Sequence, residues 1–240
     1  MSKIMYPQEF FSEQWQVYQK ILDYDYMGHQ GIYQSLSTIL ESSFKAPITL
    51  LELGCGDASF TAKALSNLDI SSYHGIDISS VALETAGKNL KSLGCPTVLV
   101  EADFNPLAEQ LTQEQYNSFD CILIAFALHH LTFAQKDHFI GEVFNFLHPE
   151  GKFILIDIVR RDNEDRQDFL RRYFNDMKRD WIEFTPDDYL IAESHVSSSD
   201  FPETKENLIA MGYKNNFKKV EYLYQDQNKT MATLSFSRNI

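Results

Sequence analysis

The stretch LLELGCGDASF at residues 50–60 constrains the fold of this chain more than any other. Ile48, Leu50, Leu51 and Leu53 make a short apolar run suited to a central parallel strand that is buried on both faces. Gly54 and Gly56 follow, and without a Cβ they let the backbone turn tightly and come close to a ligand. Residues 59–68 then read as a helix. Glu52 lies just before the glycines, at the carboxyl end of the strand, where open α/β sheets bind their ligands.

Two further acids stand at comparable places. Residues 73–76 form a second short strand that ends in Asp77, about 20 residues beyond the glycines, the spacing at which a carboxylate reaches the hydroxyls of a ribose. Residues 97–100 form a third strand, followed by Asp103 and Phe104, a carboxylate and a ring that could hold the amino group and face of a purine. A single acid at a strand end often caps a helix or faces water. Three along one sheet edge favour a common site.

LELGCGDAS at 51–59, Asp77 in GIDIS, Asp103 in EADF, FDCILIAFALHHL at 119–131 and LHPEGKFILID at 147–157 together resemble the class I S-adenosylmethionine-dependent methyltransferases. Within them the chain is similar to the small-molecule branch that contains the ubiquinone-type enzymes. The resemblance covers residues 48–157 well and the closing segment loosely, and Ala58 stands where the family pattern has glycine. It implies an α/β, Rossmann-like doubly wound fold: a mainly parallel seven-stranded sheet with an antiparallel last strand, plus an N-terminal helical cap. It also implies S-adenosyl-L-methionine as cofactor. Glu52, Gly54 and Gly56 would line its methionine end, Asp77 its ribose, and Ile78, Asp103 and Phe104 its adenine. Ala125 and Phe126, at the exit of the fourth strand, would complete the cofactor-binding set.

Charge narrows the acceptor. With 21 basic and 34 acidic residues the net charge is −13, so a phosphate backbone is repelled over most of the surface and nucleic acid is not an expected partner. Cys55, Cys95 and Cys121 are odd in number and lack metal-ligand spacing, which reads as reduced thiols in the cytoplasm and no metal site. No signal peptide is recognised, and the longest apolar run, 121–128, falls far short of the ~20 residues a bilayer needs, so no membrane association is expected. At 240 residues and 44% hydrophobic content the chain suits one domain. Its parts are a helical cap (1–46), a cofactor-binding core (47–158), a helical insertion (159–200) and a closing helix and hairpin (201–240). The oligomeric state stays open.

Along the chain, Phe11, Trp15, Tyr18 and Leu22, then Ile32, Leu36, Ile39 and Leu40, have helical spacing. Tyr24, Tyr26, His29 and Tyr33 lie between and beside them, either as core aromatics or as a lid that excludes water from a reactive sulfonium. A second helix is expected at 80–93 with Gly94 as its stop, a short helix at 106–115, and a fourth strand at 119–125. Thr132 and Gln135 have capping-box spacing, and Pro149, Glu150 and Gly151 turn into a fifth strand at 153–157. Leu170, Phe174, Met177 and Trp181 form one stripe of a charged helix. Thr185-Pro186 opens another helix, with Tyr189 and His195 as pocket candidates, and Asp200 and Glu203 are expected to open a third that ends near Gly212. Residues 217–224 and 230–237 pattern as a hairpin.

His129 and His130 fall at the exit of the fourth strand, where an acceptor would meet the methyl group, and neutral imidazole is a competent base near neutral pH. They are the candidate catalytic residues; the alternative is that they cap the neighbouring turn. Tyr26, His29, Tyr33, Tyr189 and His195 are candidate substrate contacts. The expected function is methyl transfer from S-adenosylmethionine to an O, N or C nucleophile of a small molecule. Two other readings share parts of the pattern: a nicotinamide-dependent oxidoreductase, and a non-catalytic adenosyl-binding subunit.

Overall fold

The structure, a computed structural model, describes residues 16–239. Phe11 and Trp15 of the first amphipathic stripe lie outside them. Helical residues 16–23 (α1) and α2 (His29–Ser43) precede the sheet, and Ile32, Leu36 and Leu40, spaced one turn apart, form the buried stripe of α2.

The core alternates strand and helix: β1 (Ile48–Leu53), α3 (Ser59–Ala64), β2 (Ile70–Asp77), α4 (Ser80–Asn89), β3 (Thr97–Glu101), β4 (Phe119–Ala125), α5 (Phe133–Phe146) and β5 (Leu147–Arg160). The helical insertion is α6 (Arg166–Asp180) and α7 (Pro186–Ser199), and β6 (Glu203–Thr204), α8 (Lys205–Lys214), β7 (Lys219–Gln225) and β8 (Met231–Ser237) close the chain. Seven strands stand in the order β3-β2-β1-β4-β5-β8-β7, and the two-residue β6 pairs with β5 off that path. β8 runs antiparallel to both of its neighbours, while the pairs from β3 to β5 are parallel. This is the Rossmann-like, mainly parallel sheet with an antiparallel last strand that the sequence leads one to expect.

Period-2 alternation explains why the central strands read as unbroken apolar runs. Leu50, Cys121, Leu123, Ile154 and Ile156 belong to the core layer shared with α2, α6 and α7. Leu51, Leu53, Ile122, Ile124, Phe153 and Leu155 belong to the layer shared with α5 and α8. These central strands are covered on both sides, so their carboxyl ends are the place left for a ligand.

Several boundaries differ from expectation for local reasons. The helix expected at 80–93 is α4, capped by Ser79 Oγ, followed by a 3-10 turn at Leu90–Leu93 that Gly94 ends in the left-handed region (φ 66°). The segment 106–115 forms two 3-10 turns, Leu107–Glu109 and Gln113–Gln115, rather than one helix. β5 starts at Leu147, because Leu147 already pairs with Phe119 before the register shifts. Asp200 and Glu203 do not open a helix. Asp200 caps the carboxyl end of α7, Glu203 pairs in β6, and α8 starts only where Thr204 Oγ1 accepts the Asn207 N–H at 3.2 Å.

Candidate active site

The ends of β1 and β2 are tied together by backbone. Ile76 O accepts the N–H groups of Gly54 (2.8 Å) and Cys55 (3.1 Å), which holds the glycine turn against the neighbouring strand. Gly54 has φ 68°, and a Cβ there would stand 2.9 Å from the Cβ of Ala127 and 3.8 Å from the Phe104 ring. Only glycine fits that position without displacement. Gly56, at φ 52°, faces open space. Asp77 Oδ2 accepts the Gly56 N–H at 2.8 Å and Oδ1 the Ser79 N–H at 2.9 Å. Each oxygen therefore keeps a lone pair for a further donor.

Around this cradle, Ile78 is 69% exposed at the end of β2, Phe104 is half-buried, and Asp103 is exposed with Oδ1 accepting the Asn105 N–H at 2.9 Å. Ala125 is buried at the end of β4, and Phe126 follows with a positive φ of 54° and its N–H on Ile156 O at 2.8 Å. The candidate cofactor residues thus occupy adjoining strand ends and share one edge. S-Adenosylmethionine fits what is present: a backbone approach that excludes a side chain, a carboxylate with capacity for two hydroxyls, an uncovered aliphatic side chain past β2 and a half-buried ring past β3.

Glu52 sits one layer deeper. It takes a core position on the strand face of Leu50, where Thr61 Oγ1 donates to Oε1 at 2.7 Å and the Tyr73 hydroxyl donates to Oε2. Burial pushes its carboxyl up to about 7 against the opposing pull of those two hydroxyls. It pins the amino-terminal half of α3 to β1 and β2.

The cap aromatics divide into two groups. His29 is buried, 4.5 Å from the Phe126 ring and 5.4 Å from Phe60, and neither ring nitrogen has a hydrogen-bond partner. Burial lowers its pKa to about 4, so the ring is neutral near pH 7. Tyr33 packs on Phe60 at 5.3 Å. Tyr26 is drawn elsewhere: it stacks on Trp181 at 5.2 Å, and its hydroxyl accepts the Glu183 N–H at 2.8 Å. Tyr189 belongs to the same joint, its hydroxyl donating to Trp181 O at 2.7 Å. Between α1, α2 and the start of α3 lies a cleft of about 720 Å³ lined by Leu22, Gln30, Tyr33, Asp57, Phe60 and Lys63 among others.

Past β4 the structure gathers three histidines and two buried acids. His129 Nδ1 lies 2.5 Å from Asp157 Oδ1. His130 Nδ1 lies 3.2 Å from Asp200 Oδ1, and the Nε2 atoms of His129 and His195 each lie 3.8 Å from that same oxygen. Burial pulls His129 down, but the charge and hydrogen bond of Asp157, with Asp200 behind them, outweigh it and hold the pKa above the ordinary value. Burial lowers that of His195. The carboxyl of Asp200 is held below its usual range: burial opposes this, and the surrounding histidines prevail.

Neither acid has a functional role in the sequence reading, where Asp157 is only the last residue of the expected fifth strand. The place of Asp200 depends on Arg166 of α6, whose Nε donates to Asp200 O at 2.8 Å and whose NH2 donates to Ser197 O at 2.7 Å. The other arginines of α6 are paired with acids, among them Arg172 with Glu164 at 2.7 Å, as a solvated or internally bridged face would be.

Comparison with known proteins bears on the domain and its fold. Residues 51–153 match the family model of a methyltransferase domain. An uncharacterized methyltransferase of Geobacillus thermodenitrificans is 33% identical over 134 residues, which are 56% of each chain. This chain thus spans 56% of the length of that relative. Among solved structures, an O-methyltransferase family protein from Burkholderia thailandensis superposes with a TM-score of 0.62 at 13% identity, over 88% of this chain and 56% of that one. The YcgJ protein from Bacillus subtilis gives 0.57 at 16% identity, over 85% of this chain and 98% of its own. At such identities the likeness is one of fold.

Proposed function

We propose that this chain, whose residues 51–153 form a methyltransferase domain of the class I S-adenosylmethionine-dependent family, transfers a methyl group to a small-molecule nucleophile at the carboxyl edge of its sheet. The observation that carries this reading is the junction of Gly54, Gly56 and Asp77, where close backbone approach and two carboxylate lone pairs meet at adjoining strand ends. Asp77 would hold the ribose hydroxyls, Gly54 and Gly56 the methionine end, and Ile78, Asp103 and Phe104 the adenine, with Ala125 and Phe126 flooring the site. Glu52 would act at one remove, by fixing α3 and the glycine turn.

Bound S-adenosylmethionine supplies a methyl group already activated on a sulfonium. What the protein must add is alignment and exclusion of water, and alignment alone can lower such a barrier by ~7–11 kcal/mol. His29 and Tyr33, packed on Phe126 and Phe60, would close the cap side. His129 and His130 would border the acceptor, with His130, the more exposed, placed to take the proton that an O, N or C acceptor sheds where its imidazole is free. His195 lies within the same cluster, whereas Tyr26 and Tyr189 serve the α6–α7 joint. The acidic surface supports a small, non-nucleic acceptor, and the unpaired cysteines support a reducing compartment such as the cytoplasm.

Two experiments test the reading. Asp77→Ala is expected to abolish S-adenosylhomocysteine binding in calorimetry, and near-native affinity would refute the ribose assignment. Incubation with methyl-labelled donor and a metabolite extract, followed by mass spectrometry, should reveal one labelled compound; no labelled product beside a donor-bound enzyme would favour a binding subunit.

A further inference from the structure

The cluster beyond β4 has a feature that proton transfer does not explain. Asp200 Oδ1 is buried, on a residue 2% exposed, and makes no hydrogen bond of acceptable geometry, although three imidazole nitrogens surround it at 3.2, 3.8 and 3.8 Å. A buried carboxylate oxygen without a hydrogen bond is costly to leave unmatched. Lys136, the buried cation nearby, directs its ammonium to the carbonyls of Leu131 and, at 2.6 Å, Phe201.

We propose that His129, His130 and Asp200 bind a divalent transition-metal ion of the zinc or iron(II) class, with His195 as a fourth ligand drawn in from α7. Among the described residues these three alone offer donor atoms that all lie within 4.8 Å of one another. Donors ~2.0–2.2 Å from a tetrahedral ion stand about 3.3–3.6 Å apart, and the separations from Asp200 Oδ1 bracket that range. Imidazole and carboxylate suit such ions better than magnesium or calcium, which take oxygen ligands.

The surroundings are those of a metal site. The other ring nitrogen of His129 is fixed by Asp157 at 2.5 Å, the carboxylate–histidine arrangement that orients a ligating imidazole. Arg166 holds the carboxyl end of α7, and with it Asp200, through three backbone carbonyls. The side chains of His130 and His195 are 39% and 40% exposed, so an ion can enter from solvent. Ligation would replace the long contact of His130 Nδ1 with Ser199 O at 3.3 Å. With His130 ligated, the ion rather than a free imidazole would acidify the acceptor, and while His195 stays away the three protein ligands leave it a coordination position. The expectation of no metal, drawn from cysteine spacing alone, had no view of a site built from histidines and an acid.

The test uses tag-free, full-length protein freed of metal by chelation, and it reads metal binding itself, so its failure leaves the methyl-transfer proposal standing. Zn²⁺ titration by calorimetry is expected to give one equivalent per chain, and Co²⁺ in its place should develop the visible absorption of a low-coordinate site. His130→Ala and Asp200→Asn should each remove that equivalent, while Asp157→Asn, which only orients His129, should weaken it about 10–100-fold. Circular dichroism establishes that each variant is folded. No uptake by the folded wild-type chain, or uptake unchanged in both His130→Ala and Asp200→Asn, overturns the proposal.

Discussion

The two halves of the ligand edge are built from different materials. At β1–β3 the proposed working parts are backbone N–H groups, glycines and the carboxylates of Asp77 and Asp103, all within a few residues of a strand end, with the glycine turn and Asp77 held by hydrogen bonds from backbone N–H groups. At β4–β5 they are side chains brought from the β4 exit, the end of β5 and the carboxyl end of α7, held by ion pairs and by one arginine. A backbone cradle serves the invariant part of a reaction, because few substitutions can alter it. A side-chain cluster can be rebuilt for another acceptor without disturbing the sheet.

If that division holds, damage to the first half should remove fold and donor binding together, and damage to the second should spare both. Gly54→Ala is the most severe case. It places a Cβ 2.9 Å from Ala127 Cβ in a backbone at φ 68°, so left-handed strain and overpacking together should cost about 2–4 kcal/mol and eliminate S-adenosylhomocysteine binding. Urea unfolding and calorimetry measure both, and a variant that keeps its affinity would break the comparison at its strongest point.

The same contrast governs what could be read without coordinates. β1, β2, β4 and the glycine turn are legible because each depends on contiguous residues whose chemistry permits little else: an apolar run buried on both faces, a Cβ-free turn and a terminal acid. The capping box of α5 is local as well, with Gln135 Oε1 accepting the Thr132 N–H at 2.9 Å as the spacing requires. The histidine cluster was visible only as fragments. In the sequence His129–His130 stand out as a pair, and His195 is a separate pocket candidate 65 residues on from His130. Nothing local reveals that Arg166 carries Asp200 between them, and Asp200 itself read as the start of a helix. Tyr26 and Tyr189 make the converse point, since proximity to a cap or an insertion does not say which way a ring turns; both rings pack at the α6–α7 joint.

Glu52 sharpens the comparison from below the cradle. Its carboxyl, raised to about 7, binds a proton more tightly in the folded chain than in the unfolded one, so its cost to stability is absent below about 4.5, grows with pH and is complete above 7. The shift corresponds to ~3 kcal/mol. His29, lowered to about 4, acts in the opposite sense, because its buried neutral ring loses stability as pH falls below its unfolded value. The two largely cancel between pH 4.5 and 6.5. Glu52→Gln should therefore gain on the wild type by ~3 kcal/mol as pH rises from 4.5 to 7, measured by urea unfolding across that range. A difference between the two proteins that does not change with pH would remove Glu52 from the account.

In the acceptor half the expected change is kinetic. His130→Ala should lower kcat by about 10–100-fold and leave donor affinity within about threefold, since the residue touches neither the glycine turn nor Asp77. Equal losses in both constants would mean that the two halves are not separable.

Ala58 gives the smallest effect and the finest test. It occupies the left-handed region at φ 51°, ψ 20°, immediately before α3, where the family pattern has glycine, and it is buried. Holding an alanine in that region costs about 1–2 kcal/mol. Against this, glycine would add about 0.5–1 kcal/mol of unfolded-state entropy and forfeit a buried methyl group worth ~0.8 kcal/mol. The terms offset, so Ala58→Gly should change stability by no more than about 0.5 kcal/mol and leave S-adenosylhomocysteine affinity unaltered. That near-neutrality is the physical reason a cradle made of backbone tolerates a side chain here and not at Gly54: the Ala58 methyl points into core, whereas a methyl at Gly54 would meet Ala127. A stabilisation well above 1 kcal/mol in urea unfolding would mean instead that the turn carries uncompensated strain, and that the donor half is less rigidly determined by its backbone than its hydrogen bonds imply.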